Sequence, residues 1–238
     1  IMDNRFTAGL EDRDELRAFL DEMRVYAVEV NKEWAAKIGV KPAAAITCVK
    51  PSGTVSQLCD TASGIHARHN TQYVRAVRID KKDPVYSMFL QPGVPMEDDV
   101  TRPDSQAVVS FAQRSPVGAV TRNDMTAIEQ LETWLIYQRH WCEHKPSVTI
   151  SVADDEWMDV GAWVFKHFDE VSGISFLPRS DHTYRQAPYQ DMTEESLAAW
   201  EAANPMPEID WGMLSQFESD DETVGVQQLA CVAGVCEI

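Results

Sequence analysis

The amino-acid sequence predicts an α/β fold, and two observations lead to this prediction. Short β-branched runs alternate with longer stretches whose apolar residues recur every three or four positions. The repeated order is strand then helix, which favours largely parallel strands, with ligand sites at the carboxyl ends of those strands. In addition, 238 residues with 44% hydrophobic content suffice to bury roughly 70–75% of the surface of the unfolded chain, which allows one large domain or two small ones.

The first part of the chain is predicted to contain one long helix and two strands. Apolar residues at three- and four-residue spacing mark an amphipathic helix between the acidic residues 11–12 and Gly39. Residues 43–49 form a small, β-branched run that is typical of a buried strand. Residues 73–79 alternate like a half-buried strand.

The remaining elements are predicted from the same signals. Residues 80–103 are rich in Pro, Asp and Gly, which indicates a connecting excursion rather than a linker between domains. After it we expect the strands 108–111, 148–152 and 174–177. We also expect helix 125–141, capped by Asn123 and Asp124, and helix 157–168, capped by residues 154–156 and closed by Gly173. The last predicted helix is 194–203, which begins at Thr193.

Charge and cysteine content limit the possible functions. With 38 acidic against 21 basic residues the net charge is −17, which repels phosphate backbones and anionic lipid except at local basic sites. We therefore predict no nucleic-acid partner and no membrane association, and no apolar run approaches the roughly 20 residues of a membrane span. Five cysteines, an odd number without the spacing of a disulfide framework, predict reduced thiols and a cytoplasmic location.

The stretch of residues 47–58 has the layout of an anion-binding turn. A β-prone run breaks at a Pro-Ser-Gly turn and restarts as a helix-compatible segment. Gly53 allows a tight backbone turn, and the hydroxyls of Ser52, Thr54 and Ser56 can converge there. The N–H groups of the following turn and the positive end of its dipole would then face a phosphate. A serine or threonine N-cap after a strand is the alternative.

Three residues beyond this turn are further candidates for a site. His66 follows the turn closely and is a possible site residue. Arg75 and Arg78 lie on the predicted strand 73–79, where they could pair with anions or simply be solvated.

Two histidines near the end of the second long helix have the spacing of metal ligands. His140 and His144 are four residues apart and can share a helix face, but Cys142 lies on another face and cannot join them. We therefore predict no metal site.

The amino-acid composition of the chain changes near residue 215. Residues 215–238 are first acidic and then small and apolar, without periodicity, so we predict a mobile tail after a compact region of residues 1–214. Cys231 and Cys236 form a Cys-x4-Cys pair in this tail, and the glycine between them allows their sulfur atoms to reach disulfide distance. A redox dithiol, a metal site and two incidental thiols are the alternatives.

Several of these motifs occur together in one known family. They are Pro-Ser-Gly-Thr-Val-Ser-Gln at 51–57, Ser-Gly-Ile-His at 63–66, the strand at 73–78, Pro-Ser-Val-Thr-Ile at 146–150 and the terminal Cys-x4-Cys. In this order they resemble the adenosylcobalamin-dependent, class II ribonucleotide reductases, in particular the monomeric ribonucleoside-triphosphate reductases. The resemblance runs from about residue 43 to residue 238.

The resemblance implies a fold, a function and partners. Residues 1–214 would be the carboxyl-terminal part of a ten-stranded α/β catalytic barrel, with its later strands and helices, and residues 215–238 a flexible cysteine tail. The complete enzyme would convert ribonucleotides to 2'-deoxyribonucleotides by cobalamin-initiated thiyl-radical chemistry, with adenosylcobalamin as its cofactor. Expected partners are the amino-terminal half that carries the radical cysteine, the ribonucleotide substrate, and a thioredoxin- or glutaredoxin-type reductant.

Residue roles carry over only where the motifs match. Cys231 and Cys236 resemble the pair that re-reduces the active site of the family. The turn resembles the loop that holds the substrate phosphates, with the matching residues Ser52, Gly53, Thr54 and Ser56.

The sequence also departs from the family pattern. The radical cysteine of the family is flanked as Asn-x-Cys-x-Glu, and none of Cys48, Cys59 and Cys142 has these neighbours. The thiyl-radical cysteine, its acid–base carboxylate and the effector region are therefore expected outside this chain. The sequence predicts a carboxyl-terminal fragment or one half of a split enzyme, inactive without the amino-terminal segment.

Two alternative functions remain at this point. A class I large subunit shares the phosphate turn and the terminal cysteines, but its tandem tyrosine is here the single Tyr184. That difference, together with the Ser-Gly-Ile-His motif, favours the cobalamin class. The second alternative is a phosphate-binding module without chemistry of its own.

Overall fold

The computed structural model describes residues 1–52, 55–179 and 184–218. Within these ranges the described residues form two compact units, the first within Ile1–Thr71 and Ser115–Asp181 and the second within Gln72–Arg114 and His182–Ile238. The elements in chain order are α1 (Arg13–Ile38), α2 (Val55–Leu58), β1 (Gln72–Asp80), α3 (Pro84–Leu90), β2 (Met96–Asp98), β3 (Gln106–Arg114), α4 (Ala127–His140), β4 (Val148–Val152), α5 (Trp157–Lys166), β5 (Ile174–Pro178), β6 (Tyr189–Asp191), α6 (Glu194–Ala203) and a 3-10 helix (Trp211–Gln216).

Helix α1 confirms the predicted amphipathic helix at both ends. The Asp12 side chain accepts hydrogen bonds from the backbone N–H groups of Asp14 and Glu15 at 2.9 and 3.0 Å, which satisfies two donors of the first turn. Gly39 ends the helix with φ +74°, a left-handed conformation that glycine adopts without steric cost. Neither α1 nor any other helix in the described parts of the chain is long and apolar enough to cross a membrane.

Helix α4 passes through the core of the first unit and confirms the second predicted helix. Its N-cap is Thr126 rather than Asn123 or Asp124. The Glu129 N–H donates to Thr126 Oγ1 at 3.2 Å, and the Thr126 N–H donates to Glu129 Oε2 at 2.8 Å. This capping box uses the threonine that lies three residues before a glutamate, which explains the shift of the helix start. Trp134 is fully buried at the centre of α4.

Strands β4 and β5 pair in parallel, with α5 between them in the chain, and confirm all three predicted elements. The register places Val148 opposite Ile174. Glu156 precedes α5 but makes no capping hydrogen bond. Its carboxylate instead accepts from the backbone N–H groups of Ala127 at 2.9 Å and Ala153 at 2.8 Å, so it ties the start of α5 to the start of α4.

Gly173 brings β5 close to the start of β4. It has φ +63°, and an added Cβ would lie 2.8 Å from the Pro146 carbonyl oxygen and 3.2 Å from Ser147 Oγ. Helix α5 already ends at Lys166, so the prediction that Gly173 closes this helix is wrong. The Val148 N–H donates to the Gly173 carbonyl at 3.0 Å, which requires the close approach that glycine permits.

The second unit is built on an antiparallel sheet with strand order β2-β3-β1-β6. Strands β1 and β3 confirm the two strands predicted in this region and pair along their full length. Helix α6 begins after Thr193, as predicted. The small core of this unit contains the buried residues Met88, Phe89, Val94 and Val109.

The prediction of largely parallel strands is therefore wrong for the second unit. Among the described strands only β4 and β5 pair in parallel. The predicted excursion at residues 80–103 contains α3 and the short strand β2, and β2 returns antiparallel along β3. Asp99 holds the turn between them because its Oδ1 accepts from the backbone N–H groups of Thr101 at 2.7 Å and Arg102 at 2.9 Å. Such a turn forces antiparallel pairing.

Residues 43–49 do not form the predicted strand. The segment is extended, but a side chain takes the place of a neighbouring strand: the N–H groups of Ile46 and Thr47 donate to Glu143 Oε2 at 2.8 and 3.3 Å. In return the Glu143 N–H donates to the Thr47 carbonyl at 2.9 Å. A β-prone composition predicts extended backbone, but a strand also requires a partner strand, and the described residues contain none beside this segment.

Gly173→Ala should destabilise the protein more than Gly118→Ala. Both glycines have positive φ, +63° and +85°, so each alanine carries a similar backbone cost of about 1–2 kcal/mol. Only at position 173 does the new Cβ meet a carbonyl oxygen, whereas nothing lies within 4 Å at position 118. We expect the free energy of unfolding, measured by urea denaturation, to fall by about 1–3 kcal/mol more for Gly173→Ala. Equal losses would contradict the close packing of β5 on residue 146.

Candidate functional site

The candidate site lies in the first unit, where two serine hydroxyls join the turn at residue 52 to the loop after α2. The Ser52 N–H donates to Ser63 Oγ at 2.9 Å, and the two hydroxyl oxygens are 3.3 Å apart. Gly64, with φ +60°, packs against the segment that leads into the turn, and a Cβ there would lie 3.3 Å from the Lys50 carbonyl oxygen and from Val49 Cγ1. Because a side chain at position 64 would push the loop away, glycine keeps the two segments in contact.

The four residues predicted to hold phosphate differ in their placement. Ser52 is exposed, and its carbonyl accepts at 3.2 Å from the N–H of Val55, the first residue of α2. Ser56 is only 2% exposed. Gly53 and Thr54 lie outside the described residues, as do Cys231 and Cys236. Of the described hydroxyls in the turn, that of Ser52 is therefore the one that faces solvent.

His66 connects the loop to β4 through both of its ring nitrogens. Nδ1 lies 2.7 Å from the Ser63 carbonyl oxygen, and the Thr149 N–H donates to Nε2 at 3.0 Å. These two contacts select the neutral tautomer with its hydrogen on Nδ1. Burial lowers the pKa of His66, and the hydrogen bond to Ser63 opposes this shift only in part. The imidazole is thus a neutral bridge whose two nitrogens are both occupied.

Gln130 supports the same loop from helix α4. It is buried, and its Nε2 donates to the Ile65 carbonyl at 3.0 Å and lies 3.4 Å from the Thr149 carbonyl oxygen. Together with His66 it cross-links the loop to β4. Sequence analysis missed Gln130, although a glutamine within an apolar helix face is the signal that could have identified it.

A partly buried ion pair also holds the loop. Arg68, whose side chain is 8% exposed, donates through Nε to Asp3 Oδ1 at 2.7 Å and through Nη1 to Asp60 Oδ1 at 2.9 Å. The Ala62 N–H donates to Asp3 Oδ2 at 2.8 Å. Burial opposes the charge on Asp3, but the hydrogen bonds from Arg68 and Ala62 outweigh it and leave the pKa of Asp3 below its ordinary value. The ionised carboxylate therefore fixes the start of the loop.

Arg75 and Arg78 belong to the second unit. Arg78 is engaged, because its Nε donates to Asp99 Oδ2 at 2.7 Å and its Nη2 to the Gln186 carbonyl at 3.3 Å. The guanidinium carbon of Arg75 lies 5.4 Å from the centre of the Tyr189 ring, a cation–π contact. Its Nη1 is buried and has no hydrogen-bond partner among the described residues. Hydrogen bonds to Ser63 thus link Ser52 and His66, whereas Arg75 lies in the second unit.

The histidine pair and the surrounding surface show no metal centre in the described ranges. His140 Nδ1 lies 2.8 Å from Asp21 Oδ2 of α1. Residues 1–52, 55–179 and 184–218 contain no group of three or more side chains placed to hold a metal ion. A groove of about 360 Å³ follows α1 beside Lys50 and Cys48, with walls that are otherwise apolar.

The known proteins that are similar to this chain belong to one class of enzyme. No protein-family model matches it. An adenosylcobalamin-dependent ribonucleoside-triphosphate reductase of Euglena gracilis is 28% identical over 187 residues, which are 76% of this chain and 25% of that protein. A reductase of the same name from Levilactobacillus brevis is 24% identical over 216 residues, 89% of this chain and 29% of that protein.

The structural comparison agrees with the sequence comparison. A crystal structure of a B-12-dependent, class II ribonucleotide reductase matches with a TM-score of 0.69 and 20% identity, over 87% of this chain and 29% of that chain. The resemblance predicted from the motifs is thus confirmed, and the fold is the mixed α/β fold of a class II reductase. The chain spans 25% to 29% of the length of these three proteins.

The bridge at His66 predicts a specific pH dependence of stability. Burial lowers the pKa of folded His66, so the unfolded chain, with an imidazole pKa near about 6.5, binds more protons than the folded chain below that pH. The stabilisation from His66 is therefore present above about pH 6.5 and lost as the pH falls. We expect the difference in unfolding free energy between the parent chain and His66→Asn, measured by urea denaturation, to shrink between about pH 7.5 and about pH 5.

The exposed His144 provides the matched control for this measurement. His144→Asn removes an imidazole without breaking the bridge and should leave stability nearly unchanged at pH 7.5. A difference for His66→Asn that stays constant, or grows toward low pH, would contradict a neutral, buried imidazole.

Proposed function

We propose that this chain is the carboxyl-terminal part of an adenosylcobalamin-dependent ribonucleotide reductase, which converts ribonucleotides to 2'-deoxyribonucleotides. Its own contribution is the turn that binds the substrate phosphates and the terminal dithiol that re-reduces the active site. The observation that carries the proposal is the turn at Ser52, clamped by Ser63 in a chain whose 24% and 28% identical relatives are named ribonucleoside-triphosphate reductases.

The chemistry of the turn suits a phosphate group. Ser52 presents an exposed hydroxyl, and its neighbour Lys50 is exposed with Nζ 3.0 Å from Ser147 Oγ. In a chain of net charge −17, a lysine beside the turn supplies the local positive charge that an anion needs. Each charge-assisted hydrogen bond to a phosphate oxygen contributes about 1.5–3 kcal/mol. Gly53 and Thr54 would complete this set of donors.

The cofactor belongs to the complete enzyme. Adenosylcobalamin, when bound, would supply the radical that starts the reduction. The groove beside α1 does not fit it: this groove has about 360 Å³, near the lower end of the roughly 300–1,000 Å³ of pockets for drug-sized ligands, and cobalamin is considerably larger. We therefore derive no role in cobalamin binding for these residues.

The chain would need a second segment for catalysis. No cysteine in the sequence has the Asn-x-Cys-x-Glu neighbours of the radical cysteine, so hydrogen abstraction would use a residue outside this chain. The parallel unit β4–α5–β5 would contribute later strands to a ten-stranded barrel. Residues 43–49 are extended and held along one side by Glu143, so a strand of the second segment could pair along their other side.

The terminal dithiol would close the redox cycle. After each turnover, a thiolate of Cys231 or Cys236 would attack the active-site disulfide and form a mixed disulfide with it. The second tail cysteine would then attack this mixed disulfide, which releases the two active-site cysteines as thiols. The tail would then carry the disulfide, which a thioredoxin- or glutaredoxin-type protein would reduce. Residues 1–214 would thus form the catalytic part and residues 215–238 the redox tail.

Ser52→Ala combined with Thr54→Val should weaken binding of a ribonucleoside triphosphate by about tenfold or more, because two hydroxyl donors to phosphate are lost. Isothermal titration on the chain, reconstituted with the segment that carries Asn-x-Cys-x-Glu, measures this effect. Ser105→Ala, an exposed serine in the second unit, is the control and should not change the affinity. Unchanged affinity in the double variant, with an unchanged melting temperature, would mean that the turn is only a helix cap.

Cys231→Ser combined with Cys236→Ser should abolish turnover driven by thioredoxin while a small dithiol still supports slow turnover. A small dithiol reaches the active-site disulfide directly, whereas a protein reductant needs the tail as its carrier. Steady-state rates with each reductant, for the parent and the variant, test this prediction. Equal loss with both reductants would show that the pair has a structural role instead.

A further inference from the structure

Helix α5 exposes an apolar face on the side opposite to the core. Val160 and Trp163 are buried against the first unit. On the other side Met158 is 84% exposed and Phe165 85% exposed, and Phe168, just beyond the helix end, is 72% exposed. Single exposed apolar residues are common, but a stripe of large ones along a helix marks an interaction surface.

The residues of this stripe share one face by helical spacing. Positions 158, 161 or 162, and 165 are separated by three or four residues and therefore line up along the helix. We call the surface formed by Met158, Gly161, Ala162, Phe165 and Phe168 the outer face of α5. Asp159 and Lys166 are the only charged residues within α5. A helix that is apolar on nearly every side is typical of one that is covered on both sides.

Gly161 gives the outer face of α5 a notch. An added Cβ at this position would meet nothing within 4 Å, and Ala162 beside it adds only a methyl group. The large side chains of Met158 and Phe165 flank this low point. Since the distance between packed helices is about 8–10 Å and depends on side chains at the crossing, small residues between large ones favour a closely packed helix as the occupant.

Charges around the outer face of α5 restrict the kind of partner. Within residues 154–169 the exposed acidic residues are Asp154, Asp155, Asp159 and Asp169, against one exposed base, Lys166. The exposed Arg139 of α4 is paired with Glu170 at 2.6 Å. A second copy of this chain, with its net charge of −17, would bring like charges together, which disfavours association. A partner with basic residues on both sides of an apolar stripe would instead be complementary.

We propose that the outer face of α5 binds an amphipathic helix with basic flanks, contributed by the segment of the reductase that lies outside this chain. The identity of the partner rests on the proposed function, whereas its chemistry follows from the apolar stripe, the notch and the acidic surround. Met158 and Phe165 are the apolar anchors, and Gly161 is where the partner helix crosses most closely. The exposed carboxylates pair with the basic flanks and set the orientation of the helix.

A labelled peptide probe tests this proposal on the full chain. The probe is a synthetic amphipathic helix with a leucine stripe and lysine flanks, and its control carries glutamate at every lysine position. Fluorescence anisotropy should show binding of the lysine peptide, and binding of the glutamate peptide that is weaker by roughly tenfold or more. Absence of binding by the lysine peptide would overturn the proposal.

Three variants separate docking from general attraction to an acidic protein. Phe165→Gln removes an anchor without changing the charge, and Gly161→Leu fills the notch while keeping the face apolar. Each should weaken binding of the lysine peptide by roughly tenfold or more. Val117→Gln, at a fully exposed apolar position of the same unit, should have no effect. Unchanged binding in both Phe165→Gln and Gly161→Leu would overturn the proposal.

Sedimentation velocity of the chain alone tests whether a second copy of the chain binds to the outer face of α5. A dimer that Phe165→Gln dissociates would make a second copy the partner and would also overturn the proposal, which predicts no such dimer. These readouts need neither nucleotide nor reductase activity. If the chain binds the lysine peptide on this face, but the protein reconstituted with the Asn-x-Cys-x-Glu segment binds no ribonucleoside triphosphate, the proposed function alone is contradicted.

Discussion

The short loop at residues 63–66 is the connection on which the geometry of the first unit depends. It has no regular secondary structure, so its shape comes from its partners: Ser63 accepts from the Ser52 N–H, Gly64 packs against Lys50, and His66 accepts from the Thr149 N–H of β4. Three segments that are distant in sequence therefore share one hydrogen-bonded joint. The hydrogen bonds of His66 are partly buried, and leaving a buried partner unsatisfied costs about 1–3 kcal/mol. The exposed Ser52–Ser63 hydrogen bond contributes less, but it links the position of the turn to this joint. The proposed phosphate-binding turn is thus part of the fold rather than an addition to it.

The elements that could be predicted from the sequence carry their own local signals. Helix α1 has an acidic cap and a terminal glycine, α6 begins at a threonine cap, and β4 alternates strictly in burial. Strand pairing has no such signal, because it depends on residues far away in the chain. The hairpin between β2 and β3 is closed by one carboxylate, Asp99, within a region that resembles a connection. Residues 43–49 have the composition of a strand, yet their partner is the side chain of Glu143, 97 residues from Ile46.

The same distinction applies to the candidate site. The turn and His66 could be predicted because they are contiguous motifs that resemble those of a known family. Their supports could not, because the Arg68–Asp3 pair spans 65 residues of sequence and Gln130 reaches the loop from another helix. A histidine in the motif indicated a site residue, but only the structure shows that both of its nitrogens are occupied. Sequence motifs thus indicated the candidate site, and long-range hydrogen bonds determine its geometry.

The central claim is that this chain supplies the phosphate turn of a reductase whose radical cysteine lies in another segment. The most direct measurement is deoxyribonucleotide formation by the purified chain, by a polypeptide that carries the Asn-x-Cys-x-Glu segment, and by their mixture, each with and without adenosylcobalamin. We expect product only from the mixture in the presence of adenosylcobalamin. Product from the 238-residue chain alone, or from the mixture without adenosylcobalamin, would contradict it.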